Sequence, residues 1–174
     1  VLEDGRKVPL IKDWMNQSSN DPNVHQQWIE FYKDKIKLWG LPCGAVNNIY
    51  AVDIDVKDGI NGFDSLRSLG VNELPTTAYQ LTPSGGMHLF FQYDSQYDNN
   101  TVNRDLKVDT RSSNGFCWVY QPHFEIPLAP IPKWIDLVTK KQNKKSEVTH
   151  EQVTIQLDPA LSLDIFNNSI EAIK

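Results

Sequence analysis

The sequence predicts an α+β fold, with an antiparallel or mixed sheet covered by helices on one face. Strand-like runs dominate residues 43–121. Turn chemistry punctuates them: Asn47-Asn48, Asp58-Gly59, Thr82-Pro83-Ser84-Gly85-Gly86 and Ser112-Ser113-Asn114-Gly115. Helical signals are confined to short stretches between or beside the strands.

In order, residues 1–19 read as a loop or short strand around Gly5-Arg6-Lys7-Val8-Pro9-Leu10 and Trp14. Asp21-Pro22 supplies an N-cap and a first helical position. The stripe Val24, Trp28, Phe31 and Tyr32, then Lys35 and Ile36, carries a helix to about Leu38, with its aromatics in the core and Gly40 as the stop. Cys43 to Val46 reads as a short strand. Ile49 to Asp55 is the central strand, apolar and β-forming up to two aspartates. Phe63 to Leu69 is a short helix closed by Gly70. Ala78 to Leu81 and Met87 to Tyr93 are strands about the Ser-Gly-Gly turn. Residues 94–105, polar and rich in Asp and Asn, form an exposed loop. Leu106 to Thr110 and Phe116 to Gln121 are further strands joined by a turn. Pro127, Pro130 and Pro132 make a rigid connection to a helix at Lys133 to Thr139. The expected organisation is a catalytic domain over residues 1–138, a basic polar linker over 139–150 and a C-terminal helical segment over 151–174.

The totals fit one globular domain: 174 residues, 40% hydrophobic and 22% charged. Val1 in place of Met reads as a fragment. No apolar run reaches membrane-span length and no signal peptide is visible. Cys43 and Cys117, the two cysteines, give neither a disulfide framework nor zinc spacing. The expectation is a reducing, cytoplasmic compartment. A net charge of −5 argues against strong, sequence-independent nucleic-acid binding by the whole surface, though a local basic groove stays open.

Three clusters carry chemistry. In Asp53-Ile54-Asp55, strand alternation points both carboxylates one way and Ile54 into the core. Paired carboxylates repel, and a hard cation such as magnesium or manganese relieves that repulsion. In Thr82-Pro83-Ser84-Gly85-Gly86-Met87-His88, two glycines can leave backbone N–H groups bare as an anion nest, beside the Ser84 hydroxyl and His88. In Val108-Asp109-Thr110-Arg111, a third carboxylate precedes an arginine on the same face. That arginine suits either a triphosphate or a salt bridge to one of the aspartates. Taken singly, each cluster has a bland alternative: a solvated strand end, a hairpin turn, a salt bridge.

The ordered set resembles the archaeo-eukaryotic primase superfamily, and more closely the bifunctional primase–polymerase (Prim-Pol) domains of plasmids, phages and mobile elements. The resemblance extends to Lys7-Val8-Pro9-Leu10 with Trp14, to Trp39-Gly40-Leu41-Pro42-Cys43-Gly44, and to Leu128-Ala129-Pro130-Ile131-Pro132-Lys133-Trp134, and spans roughly residues 6–137. It implies an RRM-like catalytic sheet packed with helices and a smaller N-terminal α/β unit. It implies that Asp53, Asp55 and Asp109 ligate Mg2+ or Mn2+ in a two-metal site. It makes Asp53, Asp55, Asp109 and His88 the catalytic set, and Ser84, Gly85, Gly86, His88 and Arg111 the nucleotide contacts. The implied activity is metal-dependent DNA primase and polymerase chemistry on dNTPs or NTPs, with a single-stranded DNA template and a primer. A helicase domain in the same or a partner polypeptide is the implied neighbour. The run Ser112-Ser113-Asn114-Gly115 after Arg111, and Gln121-Pro122-His123, depart from the family's usual ending.

A second class of function is a non-catalytic RRM-like module that binds nucleic acid and recruits a replicative helicase. Three acids near one another favour the enzyme, since a binding module has no need of them. A metal-dependent nuclease on the same ligands ranks last, because the Ser-Gly-Gly-x-His turn suits a triphosphate better.

Overall fold

The computed structural model describes residues 8–139. The expected linker over 139–150 and helical segment over 151–174 lie outside the described residues, except for Thr139. The fold is α+β, and among the described residues every pairing between two strands is antiparallel.

The central sheet has the order β5-β6-β2-β7, from β2 (Ile49–Ile54), β5 (Tyr79–Leu81), β6 (Met87–Gln92) and β7 (Val108–Arg111). Its two faces pack differently because side chains alternate. Tyr50, Val52 and Ile54 of β2, with Met87, Leu89 and Phe91 of β6, pack on Leu66 of α3 (Gly62–Ser68) and on Ile135 and Val138 of α4 (Ile135–Thr139). Ile49, Ala51 and Phe90, on the opposite face, pack with Cys43 and Cys117. That second face is covered in part by a small sheet of β1 (Trp39–Pro42) and β8 (Phe116–Val119). The two helices α3 and α4 therefore cover one face, and a second sheet covers part of the other. A third pair, β3 (Val56–Lys57) and β4 (Ile60–Asn61), turns at Asp58-Gly59 with φ of 55° and 76°, the geometry that an Asp-Gly pair favours.

Several expectations about elements are corrected. Asp13 caps a four-residue helix, α1 (Trp14–Gln17), in the segment read as loop or strand; Asn16 Nδ2 donates to Asp13 Oδ1 at 2.9 Å. Asp21 caps α2 (Pro22–Tyr32) as expected, its carboxylate accepting from the Asn23 N–H at 2.8 Å. But α2 ends at Tyr32, where Lys33 takes φ 45° and the chain tightens into a 3₁₀ turn. Gly40 is not a helix stop: it sits in β1 opposite Trp118, and the Phe116 ring lies 3.2 Å from where its Cβ would be. A side chain there would displace that ring. No residue of α2 is buried, and Phe31 is 79% exposed, so its aromatics are not core. The strand expected at Cys43–Val46 falls four residues earlier, on β1, and residues 45–48 are turn. Strands β7 and β8 are joined by the expected turn yet belong to different sheets. Lys107 at φ 54° delays β7 to Val108.

No helix among the described residues is long and apolar enough to cross a membrane. A cavity of about 790 Å³ lies between the N-terminal segment and β1–β8, lined by Trp14, Trp28, Phe116 and Trp118 among others. Phe116 and Trp118 alternate with Cys117, so this cavity is on the far side of the small sheet from the acids described next.

Candidate active site

Pairing register builds the site. Gln80 of β5 lies opposite His88 of β6, His88 opposite Asp53 of β2, and Asp53 opposite Asp109 of β7. Four polar residues therefore form one row across four strands, on the face away from α3 and α4. Directly opposed residues share a face, so none of these side chains depends on a loop for its direction. The apolar neighbours Val52, Ile54, Leu89 and Val108 turn the other way and anchor the row from below.

Asp53 Oδ1 lies 3.2 Å from His88 Nε2. The approach is within ion-pair range but poorly aligned, and Asp53 Oδ1 is a buried acceptor with no hydrogen-bond partner. His88 lies in β6 as expected and is 4% exposed. Burial pulls the His88 pKa down; the Asp53 contact, and the charges of Asp53 and Asp55, outweigh it and leave the histidine raised. Its Nδ1 lies 2.7 Å from Gln80 Nε2. Because an amide N–H must donate there, Gln80 opposes protonation of that nitrogen.

Asp109 is already partnered. Its Oδ1 accepts from the Asn103 N–H at 2.9 Å, and Arg111 Nη2 donates to Oδ2 at 3.0 Å. Arg111 thus makes the salt bridge, one of the two readings the sequence left open, and also donates to the Thr110 carbonyl at 3.0 Å. Asp55 follows directly after β2, and its Oδ2 accepts from Lys57 Nζ at 2.5 Å. That hydrogen bond raises the Lys57 pKa, helped by the charges of Asp55, Asp53 and Asp109. One ammonium group thus senses all three acids.

The turn between β5 and β6 differs from the expected nest. The Gly85 N–H donates to the Thr82 carbonyl at 3.0 Å and the Gly86 N–H to Thr82 Oγ1 at 3.0 Å, so neither amide is bare. The reason is geometric: with Gly85 at φ 83°, the turn folds back on Thr82 and closes its own hydrogen bonds. Gly86 serves another purpose. A Cβ there would come 2.2 Å from the Ile54 carbonyl oxygen and 3.3 Å from Asp55 Cα. The turn is therefore pressed against the strand end that carries the acids. Ser84 is exposed, its hydroxyl 3.1 Å from that of Thr82.

Among the described residues, no three His, Cys, Asp or Glu side chains converge closely enough, as they stand, to hold an ion. The donor set itself fits a hard divalent cation: carboxylate oxygens only, with one buried acceptor, Asp53 Oδ1, left without a partner. Gln80, Lys57 and Asn103 were not singled out in the sequence. Gln80 sits in Ala78-Tyr79-Gln80-Leu81, where only pairing with β6 reveals its neighbour. Lys57 and Asn103 could have been flagged by their nearness to Asp55 and Asp109 in the chain.

The model of the bifunctional DNA primase/polymerase N-terminal domain (Prim-Pol) matches residues 1–137, and the chain belongs to that family. No curated protein matches the sequence.

Proposed function

We propose that this domain is a metal-dependent nucleotidyltransferase that extends a primer 3′-hydroxyl on a single-stranded DNA template, and that starts primers as well. One observation carries the reading: the row His88–Asp53–Asp109, with a buried Asp53 oxygen that has no hydrogen-bond partner. Asp53, Asp55 and Asp109 would hold Mg2+ or Mn2+, which when bound supplies charge neutralisation at the α-phosphorus and leaving pyrophosphate. The chain's own residues supply position. Asp53 and Asp109 are fixed by strand pairing rather than by loops, which suits the sub-ångström demands of phosphoryl transfer. The His88 Nε2–H faces the row and is a donor for an incoming phosphate oxygen. Ser84, exposed at the turn, is a second donor. With the Gly85 and Gly86 amides spent, side chains rather than a backbone nest would carry the β- and γ-phosphates.

Lys57 and Arg111 have a further part in this reading. Lys57 is paired with Asp55 and Arg111 with Asp109, so a cation taken up by those carboxylates would leave both side chains available to phosphate. In this reading the four-stranded sheet with α3 and α4 behind it would serve as the RRM-like catalytic half, and α1, α2, β1 and β8 as the smaller unit. A helicase neighbour, and service to a phage, plasmid or mobile element, complete the proposal.

The test is primer extension with dNTPs in Mn2+ or Mg2+, beside the same assay without primer. The expected result is extension that falls at least 100-fold in Asp53→Asn, a scale set by groups acting directly on the reacting phosphate. Undiminished extension in Asp53→Asn would remove the acids from catalysis. Neither incorporation nor dNTP-dependent thermal stabilisation in the wild type would favour the non-catalytic module.

A further inference from the structure

Gln80 is 1% exposed and makes three polar contacts, two of them to backbone groups that allow only one role. Its Nε2 lies 2.7 Å from the Trp118 carbonyl oxygen, which can only accept. Its Oε1 lies 3.0 Å from the Tyr120 N–H, which can only donate. The two backbone groups of this edge fix which end of the amide is nitrogen. The second Nε2 proton then has one place to go, His88 Nδ1 at 2.7 Å. A nitrogen that accepts a hydrogen bond carries no proton, so neutral His88 carries its proton on Nε2. That proton faces the side of Asp53, whose Oδ1 lies 3.2 Å from Nε2 without a hydrogen bond to it.

We propose that Gln80 is a positioning residue that sets the tautomer and ring orientation of His88, and that β8 and the residue following it, Tyr120, set Gln80. The Phe90 and Tyr120 rings hold the histidine plane from the sides, at centroid distances of 6.3 and 6.0 Å. Neither ring distinguishes Nδ1 from Nε2; Gln80 does. The small sheet thus contributes to the acid row without placing a side chain in it, through two backbone groups, one amide and one imidazole. The tautomer stands on geometry alone, whereas its importance for nucleotide incorporation rests on the function proposed above.

The experiment uses the full chain labelled with ¹⁵N-histidine, in mildly alkaline buffer without metal. The His88 signals are identified by their loss in His88→Gln. The expected wild-type spectrum has a protonated Nε2 and an unprotonated Nδ1. Gln80→Met keeps the length but donates nothing, and should give a mixture of tautomers. Gln80→Glu still accepts from the Tyr120 N–H but offers His88 only an acceptor, and should move the proton to Nδ1. Both should lower kcat for incorporation by about 10–100-fold, as loss of an orienting partner does, with a smaller change in the KM for dNTP. A wild-type ring protonated on Nδ1, or an unchanged tautomer in a folded Gln80→Glu, would overturn the proposal whatever the activity. If one variant fails to fold, the wild-type spectrum and the other variant still decide. A wild type that incorporates no nucleotide but whose tautomer follows Gln80 would overturn the polymerase reading and leave this one standing.

Discussion

Tyr50 is the most unusual single residue outside the acid row. It is fully buried and its hydroxyl has no hydrogen-bond partner. Burial pushes its pKa from 10.0 to about 12; the Thr110 hydroxyl, itself spent on Asn99 and Thr101, offsets this only in part. Between those values the folded protein holds a proton that the unfolded chain has released. Stability therefore falls as pH climbs above 10 and levels off past about 12, a loss of roughly 2–3 kcal/mol. Tyr50→Phe should remove that difference, seen by comparing denaturant midpoints of the two proteins across the range. It should also stabilise the protein by about 1 kcal/mol at neutral pH, because it deletes an unpaired buried hydroxyl. At this scale the sequence was informative where local alternation decides. Asp53, Asp55 and Asp109 could be picked out because apolar neighbours declare which way a strand faces. Gln80 could not, because its meaning comes from residues 38 and 40 positions away.

At the scale of elements, the central strand, the α3 helix and the β5–β6 hairpin follow from local chemistry and appear where the residues predict them. The α2 stripe misled. Trp28, Phe31 and Tyr32 recur at helical spacing, yet no face of α2 is buried; its rings lie against one another and against Trp39 instead. Periodicity reports an apolar stripe and says nothing of what covers it. The two turn-linked segments with the strongest consequences can be tested together. Gly86→Ala drives a methyl into the Ile54 carbonyl, and should cost about 1–3 kcal/mol and displace the turn from Asp55. Phe31→Ser, on the exposed side of α2, should change stability by less than about 0.5 kcal/mol. Thermal melts of the pair check both; equal losses would mean that the turn is not pressed against β2 as described.

At the scale of the whole molecule, the fold class was legible and the layering was not. An α+β chain follows from strand runs and short helices. That β7 and β8, neighbours in sequence, part into different sheets does not, since β8 finds its partner in β1 across most of the domain. Long-range pairing leaves no local signature. The same assembly has an electrostatic cost. Asp53 and Asp109 stand directly opposed, and like charges so placed are destabilising. A cation bound only by the folded state should repay this by mass action, about 2.7 kcal/mol at a hundredfold excess over its dissociation constant. Adding Mn2+ should therefore raise the melting temperature, and chelator should reverse it. Asp53→Asn should melt higher than the wild type in chelator and lose the response to Mn2+. A response preserved in Asp53→Asn would place the cation elsewhere.

The amide of Gln80 also sets an order of events during folding. The β5–β6 hairpin closes across the short Thr82–Gly86 turn, and such local contacts form early. The β1–β8 pair closes a loop spanning most of the domain and carries the larger entropic cost. Only when it closes do the Trp118 carbonyl and the Tyr120 N–H reach Gln80. Pairing Asp53 with His88 and Asp109 needs only β2, β6 and β7. Orienting the imidazole through Gln80 needs β1–β8 closure as well, so the row should assemble before its histidine is set.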